Sequence, residues 1–235
     1  MEQRTTEWHT ARLGKVTASK VADVVARTKS GYAATRANYM AQLVCERLTG
    51  KPTEGFSSAA MEWGVEQEVA ARDAYSAKVG ELVTEVGFID HPTIPMSGAS
   101  PDGIVGAGIV EIKCPSTATH IEYLFEREPP QKYFYQMQWQ MACTGRAWCD
   151  FVSFDPRLPE AYQLFIQRVP RDAERIVFLE QEVALFLEEL GQPFEPIAVD
   201  TRKGDQFKPE FLAISPNNKI PAIVEDRKST RLNSS

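Results

Sequence analysis

The stretches SGASPDGIVG (residues 97–106) and GIVEIKCP (residues 108–115) decide the fold. The second is a mostly apolar, β-branched run, and the first ends in Ile104 and Val105 after a segment rich in Gly, Ser, Pro and Asp. Together they predict strands joined by turns. Three charged residues interrupt the apolar pattern: Asp102 in the first stretch, and Glu111 and Lys113 in the second. Because successive side chains of a strand point to opposite faces, Glu111 and Lys113 share one face.

The simplest interpretation of Glu111 and Lys113 is an ordinary ion pair on a half-exposed sheet. The apolar residues around them favour a buried strand instead, where a charge costs free energy unless a partner or a metal ion compensates it. Asp102 lies one short hairpin earlier and can reach the same face, where its carboxylate would repel that of Glu111. A divalent cation removes this conflict, and oxygen ligands favour Mg²⁺ or Mn²⁺ over zinc. The backbone carbonyl of Ile112 adds a further oxygen.

A lysine has a role beside such a cation, because its ammonium group can orient a water molecule and stabilise the deprotonated form of that water. Two metal ions about 4 Å apart can hold the attacking and leaving oxygens of a phosphodiester. Two acids, a lysine and divalent ions therefore indicate phosphodiester hydrolysis without a covalent intermediate.

Composition excludes several other classes of protein. The 235 residues are 43% hydrophobic, which suits one domain with a core, or a domain and a half. The chain has no run of 18 apolar residues and no apolar signal core at its start, so we expect neither a membrane span nor secretion. The four cysteines form no C-x-x-C pair, which predicts free thiols in a reducing cytoplasm. The three scattered histidines argue against a histidine-rich metal site and a Ser-His-Asp hydrolase.

The charge distribution leaves nucleic-acid binding open. The net charge is −6, but residues 1–51 carry nine basic and four acidic side chains. A solvated basic face and a nucleic-acid-binding surface explain this local excess about equally well.

Periodicity predicts helices and strands in alternating groups. Helical patterns begin at Thr17, cover about 35–49, run from Ser57 or Ser58 to Gly80, and return at 131–145 and 171–190. Strand patterns cover 82–90, 95–105, 108–114, 147–155 and 161–169. This order predicts an α/β or α+β core with a mixed sheet flanked by helices.

The chain changes character after Gly191. Residues 199–224, with NNKIPAIV at 217–224, resemble a piece of the thioredoxin-like half of a glutathione transferase. That piece lacks the strand that precedes it in the family and everything that follows, so we expect a poorly packed appendage over 197–235. Its last residues, RKSTRLNSS, are typical of a cloning or assembly scar. A two-domain fusion, which would make the protein a glutathione-dependent enzyme, is the alternative.

Six motifs in order resemble one family of nucleases. The pattern P-D…E-x-K resembles the superfamily of PD-(D/E)xK nucleases. Its phage lambda exonuclease family has similar motifs in the same order and spacing, and the likeness covers about residues 5–190. The motifs are EWHTARLGKVTASKV (7–21), AMEWGVEQE (60–68), SGASPDGI (97–104), VEIKCP (110–115), YFYQMQW (133–139) and FDPR (154–157). The resemblance implies a restriction-endonuclease-like core in an exonuclease domain over residues 1–196.

The resemblance also assigns roles to single residues. It implies metal ligands at Asp102, Glu111, the Ile112 carbonyl and Glu68, and a catalytic lysine at Lys113. Gln136 is expected near the scissile phosphate, with Gln138 as the ambiguous neighbour.

Two further residues, Arg12 and Ser19, resemble those that hold a 5′-terminal phosphate of DNA. Ser19 falls in the first turn of the helix predicted after Thr17, where free backbone N–H groups favour an anion. Arg12 can bind a phosphate through two parallel hydrogen bonds. We expect Trp8 in the core rather than at the mouth of a DNA channel.

The function implied by the resemblance is a Mg²⁺-dependent 5′→3′ exonuclease. It would use two Mg²⁺ per site, with Mn²⁺ able to substitute, and would leave a 3′ overhang on linear duplex DNA. The family further implies a ring-shaped homotrimer, a single-strand annealing protein as partner, and phage-type recombination in the cytoplasm of a bacterial host. Two alternatives stay open: another PD-(D/E)xK nuclease, either an endonuclease or one of opposite polarity, and a DNA-end-binding scaffold without turnover.

Overall fold

The computed structural model describes residues 2–53, 58–191 and 203–214. These ranges contain eight α-helices: α1 (Thr6–Arg12), α2 (Val21–Val25), α3 (Ala34–Thr49), α4 (Ala59–Val79), α5 (Thr117–Glu126), α6 (Gln131–Thr144), α7 (Ala173–Leu190) and α8 (Pro209–Ile214). They also contain nine strands: β1 (Val16–Thr17), β2 (Arg27–Thr28), β3 (Gly31–Tyr32), β4 (Ile89–Asp90), β5 (Ser97–Ala99), β6 (Gly103–Val105), β7 (Gly108–Lys113), β8 (Trp148–Phe154) and β9 (Leu164–Pro170). None of these helices combines the length and apolar character needed to span a bilayer.

The central sheet is mixed and has the order β6-β7-β8-β9. β6 pairs antiparallel with β7, β7 parallel with β8, and β8 antiparallel with β9. Because a parallel pair needs a long crossover, the chain between β7 and β8 has room for α5 and α6. A second sheet has the order β1-β5-β4, and β2 and β3 form a short hairpin. The predicted mixed sheet flanked by helices is confirmed.

Helix α4 contacts the central sheet through a few small and aromatic residues. Ser58 caps its N-terminus, and Gly80 ends it with a φ of +75°, a conformation that glycine adopts without a steric cost. Ala71 and Tyr75, one turn apart, are buried in a cluster with residues of β7 and β8. This contact fixes the helix that carries Glu68 beside the sheet.

Helix α6 lies between the central sheet and α7. Met137 and Met141, one turn apart, pack in a cluster with Phe151 of β8. Trp139 points to the other side and packs with Leu179 and other residues of α7. Because its last two turns are buried on both sides, α6 can place polar residues in the interior only where they have partners.

Several predicted elements have different bounds in the structure. The helix predicted from Thr17 is interrupted, since a single 3₁₀ turn (Ala18–Lys20) precedes the five-residue α2. The strand predicted over 82–90 is reduced to Ile89–Asp90 and one bridge between Thr84 and Ile104. Three elements had no predicted counterpart: helices α1 and α5 and the β2–β3 hairpin. Helix α1 has no buried residue, and the strands of the hairpin have two residues each, so neither gives a clear pattern.

The appended tail lies mostly outside the described residues. A 3₁₀ turn (Asp205–Phe207) and α8 are described within 203–214. The expectation of poor packing over 197–235 therefore stays a prediction, as does the boundary at 196. The four cysteines carry free thiols.

Candidate active site

The β6–β7 hairpin brings Asp102 to Ile112. Asp102 precedes β6, and its backbone N–H donates to the Val110 carbonyl at 3.1 Å. Its carboxylate oxygen Oδ2 accepts a hydrogen bond from the Ile112 backbone N–H at 2.6 Å. Asp102 is thereby directed across the hairpin, to the part of β7 that carries Glu111 and Lys113.

Glu111 is a buried carboxylate with three hydrogen-bond donors. It is 1% exposed. Its Oε1 accepts from Lys113 Nζ and from Gln136 Nε2, the latter at 2.6 Å. Its Oε2 accepts from Gln140 Nε2 at 2.5 Å. Both glutamines lie on α6, so this helix and β7 together fix the carboxylate.

The pKa values of Asp102 and Lys113 are shifted because two acidic side chains and a lysine lie close together in the hairpin. Burial, followed by the negative charge of Glu111, raises the pKa of Asp102 to about 8, although Lys113 and the Ile112 N–H oppose the shift. Burial by itself would lower the pKa of Lys113, but Glu111 and Asp102 raise it well above its usual value. Lys113 is therefore protonated at neutral pH. It donates to Glu111, and its charge only partly offsets the effects of burial and of Glu111 on Asp102.

Glu68 lies close enough to influence this site but is paired elsewhere. Its charge is one of the contributions that raise the pKa of Asp102. Its carboxylate accepts from Arg72 Nη2 at 2.9 Å and from Arg4 Nη2. Arg72 also donates to Glu85. Across the described ranges, no three His, Cys, Asp or Glu side chains form a group that could hold a metal ion.

The chemistry of the hairpin nevertheless fits a divalent cation. Asp102 and Glu111 offer oxygen ligands, which Mg²⁺ and Mn²⁺ prefer. Their mutual repulsion is the electrostatic conflict that a bound cation relieves. The Glu68 carboxylate is instead engaged by Arg4, whose side chain is 45% exposed, and by Arg72.

A basic cleft of about 180 Å³ lies against α1 and the 3₁₀ turn. Among the residues that line it are His9, Arg12, Lys15, Thr17, Ser19 and Lys20. Arg12 and Ser19 can donate hydrogen bonds to an anion here. Lys15 and Lys20 are paired with Asp90 and Asp23, and Glu46 also lines the cleft.

Arg12 connects this cleft to the acidic hairpin. Its guanidinium lies over the Trp8 ring, 4.0 Å from the centroid, and Nη1 donates to Ser100 Oγ at 3.3 Å. Trp8 Nε1 donates to the same oxygen at 2.9 Å. Ser100 is two residues from Asp102, so Arg12 is linked through Ser100 to the chain segment that carries Asp102.

Two expectations for this region need correction. Trp8 is not a core residue, because it is half-buried beneath Arg12 and α1 has no buried residue. The argument from a helix N-terminus at Ser19 also weakens: Thr17 makes no side-chain capping hydrogen bond, and only a 3₁₀ turn and a short helix follow. Ser19 is exposed and lines the cleft all the same.

The two glutamines weighed in the sequence have different surroundings. Gln136 donates to Glu111, whereas Gln138 Nε2 donates to the Pro170 carbonyl and its Oε1 accepts from Asp172 N–H, each at 2.9 Å. Sequence reasoning missed Gln140, which lies one helical turn after Gln136. That i, i+4 spacing was the available signal.

Comparisons with known proteins relate the chain to viral recombinases and exonucleases. The YqaJ-like viral recombinase domain matches residues 7–147. An alkaline exonuclease from Laribacter hongkongensis, LHK-Exo, is 57% identical with a TM-score of 0.74, and the likeness covers 79% of this chain and 92% of that one. Its crystal structure in complex with dAMP is similar at 58% identity, with the same TM-score and coverage. A phage-related exonuclease from Haemophilus somnus is 16% identical with a TM-score of 0.63, over 75% of this chain and 93% of that one, which shows a shared fold.

The other matches concern the C-terminal part. The glutathione S-transferase N-terminal domain matches residues 180–235, beginning inside α7. The disulfide-bond oxidoreductase YfcG of Escherichia coli is 61% identical over 44 residues, which are 19% of this chain and 20% of that protein. The URE2 protein of Debaryomyces hansenii is 35% identical over 72 residues, 31% of this chain and 21% of that protein. The chain thus spans about a fifth of the length of these curated relatives.

Proposed function

Because the chain belongs to the family of YqaJ-like viral recombinase domains and is an exonuclease-type enzyme, we propose that it digests one strand of linear duplex DNA. Digestion runs 5′→3′ and leaves a 3′ overhang. The observation that carries this proposal is the meeting of Asp102, Glu111 and Lys113 on the β6–β7 hairpin. Arg12 of the basic cleft is hydrogen-bonded to Ser100, two residues before Asp102. The hairpin has the groups for hydrolysis, and the cleft has the groups that hold a DNA end.

In this proposal, Asp102, Glu111, the Ile112 carbonyl and Glu68 hold two Mg²⁺ per site, and Mn²⁺ can substitute. When bound, the ions neutralise the carboxylates and activate water for attack on phosphorus. The oxygen ligands and the repulsion between Asp102 and Glu111 support this assignment.

Lys113 is the proposed catalytic lysine. Its raised pKa keeps it charged, so it acts as a hydrogen-bond donor that orients the attacking water and not as a base. Gln136 donates to the same oxygen of Glu111. We infer that the Gln136 amide also contacts the scissile phosphate, since it is half-buried at the edge of this group.

Arg12 and Ser19 are the proposed ligands of the 5′-phosphate. The stacking of Arg12 on Trp8 and its hydrogen bond to Ser100 hold its guanidinium at the cleft. In this proposal a 5′-phosphate bound there would set the register of the DNA strand over the hairpin.

The wider context is also a proposal. A homotrimer that encircles duplex DNA would keep the enzyme on its substrate between cuts. The 3′ overhang would then be bound by a single-strand annealing protein during phage-type recombination in the cytoplasm of a bacterial host. Light scattering tests the assembly, since three chain masses are expected.

The experiment that tests the activity is digestion of linear duplex DNA labelled at either end. With Mg²⁺ we expect 5′-terminal mononucleotides first, faster from 5′-phosphate than from 5′-hydroxyl ends, and no reaction in EDTA. A covalently closed circular duplex is the control and should stay intact. Early release of the 3′ label would overturn the polarity, and cutting of the circle would indicate an endonuclease.

A further inference from the structure

Gln140 contributes a donor to Glu111 from inside the core. Two glutamines of α6, one turn apart, donate to different oxygens of this carboxylate: Gln136 to Oε1 and Gln140 to Oε2. Lys113 donates to Oε1 as well. Gln140 is thus the one donor to Oε2 that the described residues provide.

The buried position of Gln140 makes its contact rigid. The side chain is 0% exposed, whereas Gln136 is half-buried and Lys113 is 27% exposed. A carboxylate only accepts hydrogen bonds, so the amide must turn Nε2 toward Glu111 and Oε1 away. Unlike Gln136 and Lys113, Gln140 therefore has little freedom to leave Glu111 when DNA or a cation enters the site.

The amide oxygen of Gln140 shows that this arrangement does not favour stability. Among the described residues, Gln140 Oε1 has no hydrogen-bond partner although it is buried. A buried acceptor without a donor is destabilising. The amide of Gln138, equally buried, has partners at both ends.

We propose that Gln140 is a positioning residue, whose amide fixes the Oε2 atom of Glu111 and so orients the carboxylate to bind a divalent cation together with Asp102. This inference rests on the proposed function, because it takes Glu111 to be a metal ligand. Gln140 itself touches neither the cation nor the DNA. It acts through the orientation of Glu111, as residues behind metal ligands do.

The test uses two matched variants of the full chain, Gln140→Met and Gln138→Met. Each removes a buried amide from α6 and keeps its approximate volume, but only Gln140 contacts Glu111. Binding of Mn²⁺ without DNA is measured by calorimetry, and thermal unfolding is recorded in parallel. We expect Gln140→Met to weaken Mn²⁺ binding by about 10-fold or more. Gln138→Met should lower stability and leave Mn²⁺ affinity unchanged.

The dependence of cleavage on cation concentration gives a second measurement. The rate lost in Gln140→Met should recover largely as Mg²⁺ is raised, because the defect lies in cation binding. The rate of Lys113→Ala should not recover, because the lost group acts in the chemical step. Gln140→Asn provides a second variant that keeps a polar core, and its shorter amide cannot reach Glu111, so it should resemble Gln140→Met.

Two results would overturn the inference. One is a parent-like Mn²⁺ affinity in Gln140→Asn or Gln140→Met. The other is an equal loss of affinity in Gln138→Met, which would mean that any disturbance of α6 has this effect. Failure of the proposed function is distinguishable, since the parent would then bind Mn²⁺ but not digest end-labelled duplex DNA.

Discussion

The β6–β7 hairpin and the basic cleft handle charge in different ways. At the hairpin, Glu111 accepts hydrogen bonds from three donors, and the charge of Lys113 only partly offsets the effects of burial and of Glu111 on Asp102. At the cleft, Arg12 has a ring beneath it and one hydroxyl beside it, and Ser19 is exposed. Burial makes the hairpin charges interdependent, whereas at the cleft Arg12 is only half-buried and Ser19 is exposed. Loss of one hairpin group should therefore abolish the reaction, and loss of one cleft group should only reduce selectivity.

The largest effect is expected for Lys113→Ala. The variant lacks the ammonium group that orients water, so cleavage should fall by ~1,000-fold or more. DNA binding and folding should be largely retained, as gel shift and circular dichroism would report. Lys132→Ala, on the exposed start of α6, is the control and should cleave normally. Digestion at the parent rate by Lys113→Ala would contradict the catalytic assignment.

Asp102→Asn separates catalysis from stability at the hairpin. The amide keeps an acceptor for the Ile112 N–H but removes a charge that burial and Glu111 oppose. We expect loss of cleavage together with an unfolding temperature in EDTA that is equal to or above that of the parent. A clear drop in unfolding temperature would show that the Asp102 charge stabilises the fold.

At the cleft, Arg12→Ala should reduce the preference for 5′-phosphorylated over 5′-hydroxyl ends by about 10-fold. The rate on hydroxyl ends should change little, because those ends lack the charge that Arg12 binds. Initial rates on the two substrates give the ratio. Equal losses on both would mean that Arg12 serves the fold or general DNA binding.

The smallest effect on cleavage is expected at Asp155, a buried charge outside both regions. Burial by itself would raise the pKa of Asp155, but hydrogen bonds from Arg157 and Thr117 lower it to about 2. A lowered folded-state pKa adds stability above the ordinary value of 3.8, and this stability is lost as pH falls toward about 2.

Asp155→Asn should therefore cost about 1–3 kcal/mol at neutral pH and flatten the acid limb of the unfolding profile. Its cleavage rate per folded molecule should equal that of the parent. Chemical denaturation across pH, with a parallel digestion assay, measures both. A large loss of cleavage in Asp155→Asn would mean that removing any buried charge impairs the enzyme. The sensitivity of the hairpin would then not indicate a catalytic role.

Much of the fold was predictable from the sequence because local signals agreed with the final structure. Ser58 and Gly80 gave the ends of α4 correctly, and the apolar periods gave α6, α7 and the strands of the central sheet. The helix predicted from Thr17 was wrong in length because its valines are buried by α3, α6 and α7 in a short α2, and a run of apolar residues does not fix where a helix begins. Helix α1 was missed since none of its residues is buried.

By itself, the sequence determined the alternation that puts Glu111 and Lys113 on one face of β7, because the strand period depends only on backbone geometry. It also determined the motifs that relate the chain to a family of nucleases. Only the tertiary structure decided that α6 directs Gln136 and Gln140 at Glu111 while Gln138 points to Pro170, and that Arg4 pairs with Glu68. Such contacts join residues far apart in the chain, and their positions follow from how helices pack on a sheet, which no local pattern records.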